Sequence, residues 1–236
     1  MKRQIPNILT LLNLFSGCVA CAMVFSGQFF FVFAWVVIAA VFDFFDGFAA
    51  RMLGVSSPLG IQLDSLADVV SFGVAPATAV FVLLNYYLFD LGIVMGTWSL
   101  LPYFAFLLPM FATYRLGKFN IDERQTTSFL GLPTPANGLF WVSFVYGMDH
   151  VVYDNRLLIV FTLVLIVAFS LLMVSELPMF SLKVKAMRVK GNERQLILIL
   201  LMLIFVVLWG IAGIAWGIVS YVLLSLAARK KDKTFR

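Results

Sequence analysis

Apolar residues in this chain fall into uninterrupted runs of roughly 17 to 25 positions, and each run is long enough to cross a hydrocarbon core of about 30 Å as a helix. The runs predict spans at about 8–25, 29–50, 59–87, 94–114, 129–147, 157–175, 196–212 and 213–228. The last two form one unbroken apolar stretch, too long for a single helix unless strongly tilted, and Trp209-Gly210 with Gly213 offers a place to turn. Charge decides between one helix and two. With eight spans and the N-terminus inside, Lys2, Arg3, Arg51, Arg115, Lys118, Arg124, the "KVKAMRVKGNER" cluster and the "RKKDKTFR" tail face the cytoplasm, and only Arg156 lies outside. This is the asymmetry of the positive-inside rule, and a single final helix would put the basic tail on the wrong side. The expected fold is an all-α integral membrane protein, a bundle of about eight transmembrane helices with both termini cytoplasmic. No internal repeat is visible, and the chain reads as one membrane-embedded domain over residues 1–236.

Composition leaves little for a soluble domain: 62% of the 236 residues are apolar, only 12% are charged, and mean hydropathy is +1.01. The start "MKRQIPNILTLLNLFSG" has the basic-then-apolar order of a signal peptide, but no small-residue cleavage site leads into a polar domain, so it reads as the first span. The net charge of +5 is spread between hydrophobic runs and does not point to nucleic acid. Cys18 and Cys21 form a C-x-x-C inside an apolar span with no second pair, which makes them packing residues. His150, beside Asp149, reads as a solvated connection residue.

Against this background the acids stand out. Asp43 and Asp46 lie three positions apart near the cytoplasmic end of the second span, hence on one helical face. Asp64 and Asp68 lie four apart near the start of the third, across a short turn containing Gly54, Ser56, Ser57 and Pro58. The turn makes the two helices antiparallel neighbours, so the two pairs face each other at similar depth. An ionised Asp at mid-bilayer costs about 2.5 to 3.5 kcal/mol, and like charges repel, so four together need compensation. Oxygen-only ligands select hard cations such as Mg²⁺ or Mn²⁺, and four carboxylates can hold two ions. A structural polar network and a proton relay are the alternatives. Gly47, Ala50 and Gly60 leave space beside the acids, and Arg51 follows one turn after Gly47. Small residues also mark plain helix packing in membranes.

The pattern Asp43-x-x-Asp46-Gly47-x-x-Ala50-Arg51, then Gly60-x-x-x-Asp64-x-x-x-Asp68, resembles the CDP-alcohol phosphotransferase signature at every fixed position. "PNILTLLNLFSG", "DSLADVVSFGVAPA", "RLGKFN" and "GLPTPANG" are similar to the phosphatidylserine synthase branch of that family. The helices from about residue 157 onward add only hydrophobicity to the resemblance. It implies transfer of the phosphatidyl group from CDP-diacylglycerol to L-serine, with phosphatidylserine and CMP as products, at the cytoplasmic face of the plasma membrane. It also implies that Asp43, Asp46 and Asp64 hold metal, while Asp68 completes a second metal site and takes the serine hydroxyl proton. Gly47, Ala50 and Gly60 would admit cytidine and phosphates, and Arg51 would neutralise phosphate charge. Asn7, Thr10 and Asn13 recur at helical spacing on the first span and are placed to hydrogen-bond the nucleotide, although helix capping accounts equally well for Asn7.

A small substrate's carboxylate calls for an arginine, and Arg115 in "YRLGKFN" ends the fourth span on the cytoplasmic side; Asn120 would then meet the ammonium or the hydroxyl. For Arg115 the positive-inside rule alone is an equal account, while Lys118 and Arg124 read as snorkelling anchors. Membrane lipids are the remaining expected partner, and a homodimer is compatible with the reading. Two rivals stand beside it. One keeps the chemistry and takes glycerol 3-phosphate or inositol phosphate as acceptor. The other is an ion-coupled transporter, which would need midplane acids and internal symmetry. A scaffold that has lost catalysis has nothing in its favour, because all four acids are present.

Overall fold

The computed structural model describes residues 4–55, 57–93, 95–121, 129–149, 155–179 and 192–233. It is helical throughout, apart from one two-residue ladder. In chain order the α-helices are α1 (Gln4–Phe25), α2 (Phe29–Leu53), α3 (Pro58–Asp68), α4 (Ala75–Asp90), α5 (Leu107–Ile121), α6 (Thr134–Met148), α7 (Asn155–Val174), α8 (Glu193–Trp209) and α9 (Gly213–Lys233). A π-helical turn, Val69–Val74, joins α3 to α4, so that Pro58–Asp90 is one continuous rod; a 3₁₀ segment, Thr97–Phe106, leads into α5. Five stretches among the described residues are long and apolar enough to cross a membrane: Gln4–Phe25, Phe29–Leu53, Pro58–Asp90, Arg156–Val174 and Arg194–Ala227. This is an all-helical membrane protein. Ser56, Arg124, His150 and the basic stretch 183–190 lie outside the described residues.

The helices are inverted relative to a soluble bundle. On α1 the buried positions are Pro6, Thr10, Asn13, Ser16, Gly17, Ala20 and Val24, a stripe of small and polar residues at three- and four-residue spacing. Ile5, Ile8, Leu11 and Phe15 point outward. In lipid the large apolar groups lose nothing by exposure, and small groups let backbones approach. Along α1 the buried stripe changes from polar near its start to Ala20 and Val24 near its end, where it meets Phe29, Val32 and Val36 of α2 in the apolar core. The polar end of the bundle is therefore where α1 begins, α2 ends and α3 begins.

Local sequence explains the joints. Gly54 closes α2 in the left-handed conformation (φ 62°), with Val55 N–H donating to the Ala50 carbonyl at 3.0 Å. Ser57 then caps α3, its Oγ accepting from Gly60 N–H at 2.9 Å, with Pro58 in the first turn where its missing N–H costs nothing. The π turn follows from Pro76, which has no N–H for the Phe72 carbonyl and whose ring would collide with it, so the helix widens and Ala75 N–H donates to Val70 instead. Neighbours grip the widened turn. Gly17 of α1 packs on Ser71, and Gly138 of α6 packs on Phe72, where an added Cβ would sit 2.9 Å from the Phe72 Cα.

Two expectations need correcting. The fifth predicted span began at about 129, but Phe129–Leu130 is extended and pairs antiparallel with Pro178–Met179; helix starts only at Thr134. Pro133 and Pro135 keep the helix from running further back, and Gly131 (φ 74°) turns the chain against the Met173 and Ser175 carbonyls. The start of the fourth predicted span, meanwhile, is the 3₁₀ segment with Pro102 inside it. The final apolar stretch does turn: Gly210 (φ 59°) breaks it, Gly213 packs on Phe205 and Gly217 on Met202, an antiparallel order that makes α8 and α9 a hairpin.

These packing contacts set a stability test. Gly138→Ala drives a methyl into the π turn and is expected to cost about 1 to 3 kcal/mol. Gly117→Ala, at a helical site with nothing within 4 Å of the new Cβ, is expected to be neutral or stabilising. Thermal unfolding of the detergent-solubilised variants checks the contrast, and equal melting temperatures would contradict it.

Candidate active site

The turn between α2 and α3 brings the acids together as their spacing requires. Asp43, Asp64 and Asp68 each offer a carboxylate oxygen, and the three oxygens lie within 4.8 Å of one another. Ions with bonds of about 2.0 to 2.6 Å need ligand oxygens within about 4 to 5 Å of each other, so the group fits a hard divalent cation. Asp64 Oδ1 is buried and has no hydrogen-bond partner in the protein, so its lone pairs are free to meet a cation. Among the described residues no Lys or Arg forms an ion pair with any of the four acids.

Asp46 is held differently. Its Oδ2 accepts from Thr10 Oγ1 at 2.5 Å, shorter than the 3.1 Å from that hydroxyl to the Pro6 carbonyl of its own helix. The charged acceptor wins the proton. Asp68 is turned toward α1, where its Oδ1 accepts from Asn13 Nδ2 at 3.1 Å. Both acids are buried, at 5% and 6% exposure, so α1 supplies the neutral donors that lipid cannot.

Beside the carboxylates opens a cleft of about 150 Å³, lined by Asn7, Thr10, Asp46, Gly47, Ala50, Ser57, Gly60 and Asp64 among others. A Cβ at Gly60 would sit 3.1 Å from Ser57 Oγ and 3.2 Å from Asn7 Oδ1; one at Gly47 would sit 3.4 Å from Arg51 Nη1. The absent side chains are thus what keeps the cleft open, with the Arg51 guanidinium folded back over its edge. Capping by Asn7 is excluded, because α1 is already helical from Gln4, and Asn7 projects into the cleft from inside the helix. Asn13 does not line the cleft; it serves Asp68.

Arg115 is buried at 8% exposure in the second half of α5, donating from Nη1 to Thr134 Oγ1 at 2.9 Å, and it lies within electrostatic reach of Asp68 and Tyr221. Asn120 instead donates to Ser65 Oγ at 2.8 Å and ties α5 to α3 beside Asp64. Lys118 is half-exposed and pairs with Glu176 at 3.5 Å. Sequence reasoning missed Ser57, Thr134, Asn137 and Tyr221. A signal for Thr134 and Asn137 existed, since polar residues in "GLPTPANG" open an otherwise apolar span.

Fold and site together define a membrane-embedded helical protein with a cluster of carboxylates beside a cleft walled by small residues. The chain belongs to the CDP-alcohol phosphatidyltransferase family, whose model matches residues 3–228. It is 32% identical over 205 residues to the CDP-diacylglycerol–serine O-phosphatidyltransferase of Helicobacter pylori, covering 84% of this chain and 79% of that protein. The proteins of the same name from Bacillus subtilis (33% over 145 residues; 61% of this chain, 77% of that protein) and Methanocaldococcus jannaschii (31% over 162 residues; 69% and 70%) are similarly related.

The carboxylate geometry predicts that Mn²⁺ raises the melting temperature of the purified wild type and that Asp43→Asn, Asp64→Asn and Asp68→Asn each remove that rise. An Asn variant stabilised by Mn²⁺ as strongly as the wild type would take its residue out of the ligand set.

Proposed function

We propose that this protein transfers the phosphatidyl group of CDP-diacylglycerol to the hydroxyl of L-serine, releasing CMP and forming phosphatidylserine. The observation that carries the reading is that Asp46, Gly47, Ala50, Gly60 and Asp64 of the signature line one cleft, and that Asp64 also belongs to the three-carboxylate group with Asp43 and Asp68. The named activity of the Helicobacter, Bacillus and Methanocaldococcus relatives supports serine as the acceptor.

In this reading Asp43, Asp46, Asp64 and Asp68 hold Mg²⁺ or Mn²⁺, two ions in all. Divalent ions held there supply charge neutralisation for the pyrophosphate and for the entering and leaving oxygens. The chain's own residues do the rest. Gly47, Ala50 and Gly60 admit the cytidine and phosphates close to backbone, Asn7 and Thr10 face the nucleotide, and Arg51 offsets phosphate charge at the rim. Asp68, steadied by Asn13, accepts the serine hydroxyl proton as the oxygen bonds to the lipid-bearing phosphorus and the bond to CMP breaks. Arg115 meets the serine carboxylate. Lys118, engaged with Glu176, is poorly placed to serve the phosphate that a glycerol 3-phosphate or inositol phosphate acceptor would carry.

The reading includes a topology of eight spans with both termini and the site on the cytoplasmic side of the plasma membrane. The α8–α9 hairpin supports eight over seven, and the basic residues, all but Arg156 on one side, support the orientation. The donor's acyl chains then stay in the bilayer while its headgroup reaches the cleft.

Purified protein given CDP-diacylglycerol and Mg²⁺ or Mn²⁺ is expected to release CMP only when L-serine is added and to stop on chelation. Asp68→Asn is expected to slow turnover by about 10² to 10⁴-fold. Equal release with glycerol 3-phosphate would overturn the acceptor, and wild-type rates from Asp68→Asn would overturn the proton acceptor.

A further inference from the structure

Behind Asp68 the bundle interior holds polar atoms that find no partner in the protein. Asn137 is fully buried, and neither its Nδ2 nor its Oδ1 has a hydrogen-bond partner. Arg115 Nε and Asn13 Oδ1 are buried in the same condition. Leaving such groups unpaired is costly, and several on adjoining elements mark a place where something other than the protein supplies the partners.

The elements do adjoin. Arg115 donates to Thr134, which fixes the face of α6 that looks toward Arg115. Asn137 follows one turn along that face, since positions i and i+3 are neighbours about 5 to 6 Å apart. Next to it, Gly138 presses α6 onto Phe72 of the π turn that begins directly after Asp68. From the other side, Asn13 donates to Asp68, and its backbone carbonyl accepts from Ser71 of the same turn at 2.9 Å. The first turn of α6, a 15-residue helix, adds the positive end of its dipole.

The chemistry of the unpaired atoms is two-sided. Arg115 Nε and Asn137 Nδ2 donate, whereas Asn13 Oδ1 and Asn137 Oδ1 accept. A phosphate group only accepts, so in a phosphate-bearing acceptor the two amide oxygens would depend on spare hydroxyls for donors. An α-amino acid uses both kinds, because its carboxylate only accepts and its ammonium only donates.

We propose that Asn137 is a specificity-determining residue of the acceptor site: its Nδ2 joins Arg115 on the α-carboxylate of the incoming amino acid, and its Oδ1, with that of Asn13, receives the α-ammonium. The side-chain hydroxyl is then left facing Asp68. This rests on the reading of the protein as a serine-accepting enzyme. The rival occupant is a set of ordered waters with no role in recognition.

The test measures KM for L-serine and KM for CDP-diacylglycerol separately, because neither depends on the fraction of folded enzyme. Asn137→Ala is expected to raise KM for L-serine at least about ten-fold. KM for the donor is expected to stay within about three-fold of wild type. Asn137→Asp, nearly the same size, keeps the packing and sets a charge against the serine carboxylate; it is expected to raise KM for L-serine further. In the wild-type enzyme, L-alanine, which keeps both charged groups, should compete with L-serine far better than ethanolamine, which lacks the carboxylate. An unchanged KM for L-serine in the variants, a joint rise of both KM values, or equal competition by alanine and ethanolamine overturns the inference. A wild type that releases CMP without needing L-serine would instead sink the functional reading beneath it.

Discussion

Carboxylates cannot be left unneutralised in a lipid-facing bundle, and the architecture follows from how four of them are accommodated. Each requires either a cation or a neutral donor once water is removed. Asp46 and Asp68 receive donors from Thr10 and Asn13 on α1, while Asp43, Asp64 and Asp68 are brought close enough for a shared ion. This is why α1 carries its polar groups inward and its large apolar groups outward. It is also why the connection between α2 and α3 is so short: a Gly54 stop and a Ser57 cap start α3 within a few residues of the end of α2, with α1 packed against both helices.

The same constraint divides the bundle lengthwise. Away from the acids the core is built from large apolar and aromatic groups, such as Leu83, Leu84 and Trp141, and the stacked rings of Phe140 and Phe169, 3.9 Å apart. There packing is dense and carries stability. Near the acids the walls are Gly47, Ala50 and Gly60, which contribute little packing and keep volume open. The π turn sits at the border between the two zones. By widening the helix just after Asp68 it lets Ser71 reach α1 and Phe72 reach α6, coupling the position of the acid to the most tightly packed part of the molecule.

What could be read from the sequence was what helical periodicity alone determines. Spacings of three and four place Asp43 near Asp46 and Asp64 near Asp68, and the intervening Gly and Pro reverse the chain, so the acids and their small-residue walls were legible, but not that Thr10 holds Asp46 outside the three-carboxylate group. The buried group around Arg115 was not, because it joins α1, α5 and α6 through contacts 19 to 58 residues apart in sequence, and no local pattern reports such convergence. The extended pair at Phe129–Leu130 and Pro178–Met179 was hidden for a similar reason: it is two residues long and exists only because two distant connections meet. For Asn7 the sequence left capping open beside the nucleotide, because its type favours caps, and only a helix that begins before it decides the matter.

The two polar regions differ in accessibility in a way that suits the two substrates proposed for them. The cleft beside Asp46 and Asp64 is open, as an amphiphile arriving with its chains in lipid requires. The group behind Asp68 is closed, with Asn13, Thr134 and Asn137 wholly buried. A closed acceptor chamber matters because water is itself an acceptor for a phosphatidyl group and vastly outnumbers any dissolved alcohol. Excluding it cannot be achieved by apolar walls, since the true acceptor is a zwitterion that must be bound by charge and hydrogen bonds. In the acceptor site proposed for that group, polar atoms partnered by the full complement of amino-acid groups would resolve the conflict, because the acceptor's own binding energy would then place its hydroxyl at Asp68.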